Sequence, residues 1–536
     1  MKCRNIISLL LITLISVCTV AQESVGDIAI LDDHTRIRLS PNGAIPIQWD
    51  VSRTGTGGET VHMMHDELAD QDLGGHFRLV LDGIDGDLTH FANSARYSSE
   101  AATTDPLSRR FVSPMHVSGL QISKMVTTAE GYTGVLTVHL SNRGNANAIS
   151  LSDVAITIGP GLGIIPGSIG GLGDAMYSYV EAAAGGDDGV KPFDLNEESW
   201  ETDFPLDDSD VRWVGIHNRY YGMFLRDVNG GTLSGRAYVP VAMLEQAEVA
   251  EEDYEFYPAF LIQPTVPDSL GPGESVSFAF EFYAGPKEVE ALEVAGYDAI
   301  LYSNLPGWLR WLCLVLGDVL KAIYGVIGSW WVTLLVLTVL VRILLFPMAQ
   351  KAIKMNAQMM ADQAKLKPLI DEIKAKHSDA QVQYKKTMAL YKEHGINPLA
   401  PMLGCLPVLL QLPILIAIFN ILGQEIDMQG ARFLWIDDLS IPDQLFPFGF
   451  TIPYFGAYFN ILPMLMAVTM VLTTNLGTSA EGDQKKSHMR SMIMLAALFF
   501  TLFYSFPAGL VLYWMMSNIG QYIQQEIVTR RVNAKS

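Results

Sequence analysis

Trp330-Trp331-Val332-Thr333-Leu334-Leu335-Val336-Leu337-Thr338-Val339-Leu340-Val341-Arg342-Ile343-Leu344-Leu345-Phe346-Pro347 is an 18-residue run with a single charge. A run of this length and apolarity predicts a membrane-spanning helix. Arg342 then sets the problem for the whole chain. An arginine at the bilayer midplane costs about 2.5–3.5 kcal/mol on insertion scales, so it must face protein or water rather than lipid. Two readings follow. Arg342 lies five residues from Pro347 and its stem could snorkel to the headgroups. Alternatively it serves a hydrated cavity, because charge inside a membrane is functional by default. Thr338 stands one turn earlier on the same helix face.

Further spans are expected at 402–422, 458–476, 491–507 and 509–524, after a first at 329–348. The last two are joined by Pro507-Ala508-Gly509. Loop charge orients them. The segment 349–401 holds nine lysines against five acidic residues, which predicts a cytoplasmic loop. The segment 423–457 has one basic residue, Arg432, against five acids, which places it outside. Lys485, Lys486 and Arg490, and then Arg530, Arg531 and Lys535, return the remaining loop and the tail 532–536 to the cytoplasm. Other polar groups join Arg342: Gln411 in the second span, and Ser517, Asn518 and Gln521 after Tyr513 and Trp514 in the last. None of the five spans contains an acidic residue. A fixed ion pair within the bilayer is therefore disfavoured, and the cation is left for an acidic group from elsewhere. Upstream, 301–328 alternates Trp308, Trp311, Leu312, Val315 and Val319 with Arg310, Asp318 and Lys321. That period predicts an amphipathic helix lying at the outer interface.

Residues 23–298 differ in kind. They carry 15 Lys+Arg against 43 Asp+Glu, a net of −28, whereas the rest of the chain is +7. Such an acidic domain excludes nucleic acid as its partner. None of the four cysteines falls within it, so no disulfide holds it. Short alternating runs at 36–39, 77–81, 134–140 and 275–282, separated by Gly, Asn and Asp turns, predict an all-β sandwich over 22–300. A helix is indicated near 288–297. The chain opens with Lys2 and Arg4, then the apolar run Ile6 to Val20, then Thr19-Val20-Ala21. Residues 1–21 read either as a cleaved signal peptide or as a retained anchor. Both send the acidic domain out of the cytoplasm.

Catalytic signatures are absent from the exported part. His62, His65 and His76 lack a metalloprotease spacing, and they read as exposed loop histidines rather than metal ligands. The glycines from Gly159 to Gly173 lack a phosphate-loop ending, and the acidic run Glu245 to Glu255 reads as a solvated face.

Several motifs in order carry a resemblance. Tyr283-Ala284-Gly285-Pro286-Lys287 comes first, then Thr338-x-x-x-Arg342 with Phe346-Pro347. Leu366-Lys367-Pro368 and Met388-Ala389-Leu390-Tyr391-Lys392 follow, then Asn397-Pro398-Leu399 and Gly404-Cys405-Leu406-Pro407 with Gln411 and Pro413. Phe433-Leu434-Trp435-Ile436-x-Asp438-Leu439 precedes Phe506-Pro507-Ala508-Gly509-Leu510-x-Leu512-Tyr513-Trp514 and Ser517-Asn518. Over about 282–531 the chain resembles the YidC family of membrane protein insertases.

The resemblance implies an α-helical polytopic membrane domain, 329–531, with a five-helix insertase core around a hydrophilic groove. A cytoplasmic helical hairpin, 349–398, would carry Lys365, Lys367, Pro368, Lys385, Lys386 and Tyr391. The periplasmic β-sandwich ahead of it is typical of members from Gram-negative bacteria, in the inner membrane. Groove residues would be Arg342, Thr338, Gln411, Tyr513, Trp514, Ser517 and Asn518. The implied activity is insertion and folding of nascent membrane proteins, alone or beside the Sec translocon, with no enzyme chemistry, metal or other cofactor. Any ribosome contact would lack a long basic tail, because the tail after Arg531 is too short for a ribosome-binding extension. Ala400-Pro401-Met402-Leu403 lengthens the usual step into the second span, and 1–21 looks more cleavable than the anchor usual in such members. A small-solute transporter would need repeats between its spans, and an intramembrane protease would need a Ser-His pair or two aspartates in them; neither is found. A structural anchor for the acidic domain would not need Arg342 or the charged hairpin.

Overall fold

The structure, a computed structural model, describes residues 28–533 apart from 32–33, 54–59, 65–67, 69–74, 85, 102–106, 130, 145–146, 164–178, 194, 196–203, 207–209, 394–405, 454 and 477–482. The opening segment 1–21 and the start of the second expected span lie outside the described residues. The chain divides into two compact units, with the boundary after Leu301.

The first unit is built from antiparallel sheets. The largest has nine strands in the order Gly189–Phe193, Val180–Gly186, Val211–Asn218, Tyr221–Asp227, Ser275–Pro286, Thr133–Asn142, Leu120–Ala129, Ser108–Val112 and Ser98–Ala101. Sheets of five, four and two strands accompany it. The expected run 134–140 belongs to the strand Thr133–Asn142, whose residues alternate strictly between buried and half-buried. That is the period of a strand with one face on a core. The expected strand at 77–81 shrinks to Leu79–Val80. The helix indicated near 288–297 forms as Val289–Ala295, closed by Gly296 at φ 78°, a left-handed position that glycine adopts without strain. Two aromatic clusters fill the interior. Trp49 meets Phe77 and Phe282 at 5.6 and 5.1 Å, and Phe224 stacks on Tyr297 while Trp213 meets both edge-on.

Three buried bases show how tightly this unit closes. His76 is not an exposed loop residue: it is buried, and its Nδ1 accepts the Gly159 amide at 2.9 Å. Burial pushes its pKa down to about 3. Lys124 is fully buried and donates to the carbonyls of Gly43 and Phe77 at 2.7 and 3.0 Å. Burial, aided by the charge of Arg78, lowers its pKa to about 7. Lys287 donates to the Asn218 carbonyl at 2.9 Å and is lowered by burial to about 8. His62, by contrast, is exposed and pairs with Asp50 at 2.6 Å.

These shifts set a pH dependence. Between pH 6.5 and about 3 the unfolded chain holds a proton on residue 76 that the folded domain refuses. The stability contributed by neutral His76 is therefore complete above 6.5 and is lost as pH falls. At pH 4.5 this one group should remove about 2–3 kcal/mol. The urea midpoint of this unit, read from oxidation of buried Met223, should fall between pH 6.5 and 4.5. His76→Gln should flatten that fall; an equal slope in the variant would show that His76 does not cause it.

The second unit is helical. Its described helices are α1 (Gly307–Ile327), α2 (Trp330–Lys376), α3 (Ala380–Glu393), α4 (Leu406–Gln424), α5 (Leu462–Leu476), α6 (Asp483–Phe503) and α7 (Ala508–Asn533). Between α4 and α5 lies a two-stranded hairpin, Phe446–Ile452 with Gly456–Phe459. α1 turns into α2 through Gly328 at φ 68°, and Tyr324 stacks on Trp330 at 4.2 Å across the corner. α2 is the main departure from expectation. It does not stop at 348 but runs 47 residues, through Pro347 and Pro368. The apolar stretch Trp330–Met348, 19 residues of mean hydropathy 2.2, is long enough to cross a bilayer. Shorter apolar stretches occupy Leu412–Gln424, Leu462–Leu472 and Met489–Phe503.

Candidate functional site

α2 and α7 are arranged opposite to helices of a water-soluble protein. On α2 the buried side chains are Trp330, Thr333, Leu334, Leu337, Thr338 and Val341, while Trp331, Leu335, Val339, Leu340, Ile343 and Leu344 are exposed. On α7 the exposed stripe is Ile519, Ile523 and Ile527, and Ser517 and Gln524 are buried. On both helices the outward face is apolar, and the inward face carries Thr333, Thr338, Ser517 and Gln524 among further apolar side chains. In water this pattern wastes apolar surface; against lipid it is the expected solution.

Arg342 is the centre of the inward face. Its Nη2 donates to both the carbonyl and the hydroxyl of Ser517, each at 2.7 Å. The stem passes Gly520, where an added Cβ would stand 3.6 Å from Arg342 Cγ. One nitrogen of Ser517's partner is left over: Arg342 Nε is buried with no acceptor among the described residues. Three other buried donors of α7 share that condition, namely Trp514 Nε1, Asn518 Nδ2 and Gln524 Nε2. Among the described residues, α2 and α7 therefore hold several buried donors without an acceptor. Burying such groups unpaired costs about 1–3 kcal/mol each, so a guest carrying carboxylate or carbonyl oxygens would relieve a cost the helices already bear.

The other expected groove residues fall into place unequally. Tyr513 is buried beside Ser517 and Arg342. Trp514 lies against Phe499 and Phe503 of α6, with ring centroids 5.0 and 5.3 Å away. Thr338 is on the expected face, but its hydroxyl is already satisfied by the Leu334 carbonyl at 2.7 Å. Gln411 stands on α4, and its side chain lies outside the described set. Gln524 was not singled out by sequence reasoning. The signal was present, since 517, 520 and 524 share one helix face, but a glutamine near the end of a span reads as an interfacial residue.

The charged hairpin is formed by the end of α2 and by α3. Asp379 Oδ1 accepts the Gln381 amide at 2.8 Å and starts α3. Lys385 and Lys386 are exposed on α3, Tyr391 is half-buried, and Pro368 is exposed within α2. Lys365 and Lys367 belong to α2, and their side chains lie outside the described set.

On the opposite end of the unit, the connection between α4 and α5 closes over the helix ends. Asp443 is buried, and its Oδ2 accepts from the Trp435 indole at 3.2 Å and from the amides of Ile461 and Leu462 at 2.9 and 3.0 Å. It thereby caps α5 from a distance. The amides of Ala508 and Gly509 donate to the carbonyls of Ile441 and Leu439, which ties the start of α7 to the same connection.

Residues 322–535 match the family described as 60Kd inner membrane protein. A curated relative from Syntrophobacter fumaroxidans, named membrane protein insertase YidC, is 34% identical over 53% of this chain and 51% of its own length. One of the same name from Pelobacter propionicus is 30% identical over 61% of this chain and 56% of its own. The chain thus spans about half the length of these relatives. A solved structure titled as an active YidC insertase with its first transmembrane domain resolved aligns over 98% of this chain and 99% of that one, at 16% identity and a TM-score of 0.36.

Proposed function

We propose that the chain is a member of the YidC family, which its residues 322–535 resemble, and that it inserts and folds proteins of the inner membrane through a polar intramembrane groove, alone or beside the Sec translocon. The observation that carries the reading is the pairing of Arg342 with Ser517 among buried donors that lack acceptors. In this reading α2, α4, α5, α6 and α7 span the bilayer. The acidic unit is periplasmic, and α1 rests at the outer interface with Trp308 and Trp311 exposed to it.

The transfer is a matter of solvation. A nascent segment meets the lysine-bearing hairpin of α2 and α3 at the cytoplasmic surface. Its acidic or carbonyl groups exchange water for the donors of Arg342, Trp514, Asn518 and Gln524, which lowers the cost of moving them through an apolar layer. The apolar helix of the substrate meanwhile passes along the outward face of α2 and α7 into lipid. Nothing covalent is required. The single engaged nitrogen of Arg342 is held by uncharged Ser517, so a substrate carboxylate competes only against neutral acceptors and forms the stronger, charge-assisted bond.

A photoreactive residue in place of Trp514 tests this proposal. It should crosslink to a ribosome-bound nascent membrane protein, and the same probe at Val117, which is almost fully exposed on the acidic unit, should not. Equal labelling from both positions, or none from 514, would remove the groove from the account.

A further inference from the structure

The connection between α4 and α5 contains a hairpin that the proposed groove does not use. Its strands, Phe446–Ile452 and Gly456–Phe459, form a sheet by themselves. Phe446, Phe448 and Phe450 lie in contact one after the other, with ring centroids 6.2 and 6.0 Å apart, across a register break between Pro447 and Ile452 at which Gly449 takes φ 78°. Phe459 joins them, stacked on Phe446 with centroids 4.8 Å apart and 6.2 Å from Phe448. Among the described residues this face is left open: Phe446 is 49% and Phe450 65% exposed. From Gln444 to Ala480 the sequence has no charged residue. A two-stranded hairpin is marginal in water, and an uncharged phenylalanine face makes water a worse solvent for it still.

The position of the hairpin identifies the missing partner. Phe455, near its tip, packs on Phe500 and Tyr504, with centroids 6.2 and 4.8 Å away. Tyr504 Oη donates to the Tyr458 carbonyl at 3.2 Å and accepts the Asn460 amide at 3.1 Å. The hairpin is thus clamped beside the end of α6, which closes at Phe503, and its second strand leads directly into α5 at Leu462. Both helix ends mark the outer boundary of the bilayer in the spanning reading, on which this inference rests. α6 has exposed apolar side chains of its own, Met494, Leu498 and Leu502.

We propose that residues 446–459 form an interfacial anchor, with the phenylalanine face resting against lipid of the outer leaflet. The backbone explains why the hairpin stops at the interface. A two-stranded sheet keeps one row of unpaired amides and carbonyls on each edge, and these are excluded from the hydrocarbon core but tolerated among hydrated headgroups. Aromatic side chains favour that same zone. The anchor would fix the height of the outer connection, and with it the cap that Asp443 places on α5.

The test uses the full chain in phosphatidylethanolamine–phosphatidylglycerol vesicles. The four native cysteines are changed to alanine, and a nitroxide is attached to F450C, with V117C as the water reference and L498C as the lipid reference. Collision with dissolved oxygen and with a water-soluble nickel chelate is measured by power saturation. The oxygen-to-nickel ratio at 450 should be several-fold above that at 117 and approach that at 498. A ratio at 450 equal to that at 117, with 498 lipid-exposed, overturns the anchor and leaves the spanning helices standing. Low accessibility to both reagents at 450 also overturns it, because protein, such as a second copy, then covers the face. Water exposure at 498 overturns the spanning reading itself. The unmodified protein offers a second measurement free of any folding defect. A phospholipid with a photoreactive headgroup-level diazirine should label peptides from 445–459 and not those around Val117; absence of label there also overturns the anchor.

Discussion

Arg342→Ala should slow insertion of a substrate with an acidic translocated tail about tenfold to hundredfold in cells depleted of other copies of the protein, whereas neutralising that tail should largely abolish the difference. The range is the worth of a hydrogen bond to a charged group, about 1.5–3 kcal/mol. Alanine removes both the guanidinium held by Ser517 and the unpartnered Nε. Arg342→Lys keeps the charge but loses the planar fork, and an intermediate rate is expected. Two results would count against the role of Arg342: unchanged insertion of the acidic substrate, or an equal loss for acidic and neutralised tails. The second would mean that the residue supports only the packing of α2 on α7.

The second large effect concerns the outer connection. Asp443→Ala should lower the stability of the helical unit in detergent by about 3–5 kcal/mol, because three donors lose their acceptor together at about 1–3 kcal/mol each. It would orphan the Trp435 indole and two amides at the start of α5 in a single step. Asp443→Asn keeps an acceptor oxygen in nearly the same place, so its loss should stay near 1 kcal/mol. Burial holds the Asp443 carboxyl above the usual carboxylate range despite those three donors, which is why loss of the formal charge matters less here than loss of the acceptor. Thermal unfolding followed by tryptophan fluorescence measures both variants. A melting temperature of Asp443→Ala within a degree of the unchanged protein would show that the connection does not depend on this clasp.

Much of the design is written in the order of residues. Alternation over 134–140 and 275–282 marks strands because only a strand puts every second side chain on a core. The apolar run ending at Pro347, with its single charge, predicts a span because it is long enough to cross a bilayer. Arg342 stands out in that run because a charge within the bilayer is costly. Hydropathy was a poor guide to helix ends, since it changes where a helix leaves the bilayer and not where its hydrogen bonds stop. Thus α2 continues to Lys376 through alanines, lysines and glutamines that are good helix formers.

What required the tertiary structure is partnership. Composition shows that Arg342 lacks an acid within the spans, but not that Ser517 holds it, because residues 175 positions apart meet only through the packing of α2 on α7. The burial of His76 and Lys124 was equally out of reach: a histidine or lysine in a polar stretch looks solvated until two sheets close over it. The same holds for Phe446, Phe448 and Phe450, whose rings lie in contact one after the other. Only the clamp of Phe455 and Tyr458 on Tyr504 fixes them beside the end of α6. Chain order therefore determined which segments are strands, which run enters the membrane and which cation is out of place there. The fold decided what each unusual residue touches, because burial and hydrogen bonding depend on neighbours that are distant in sequence.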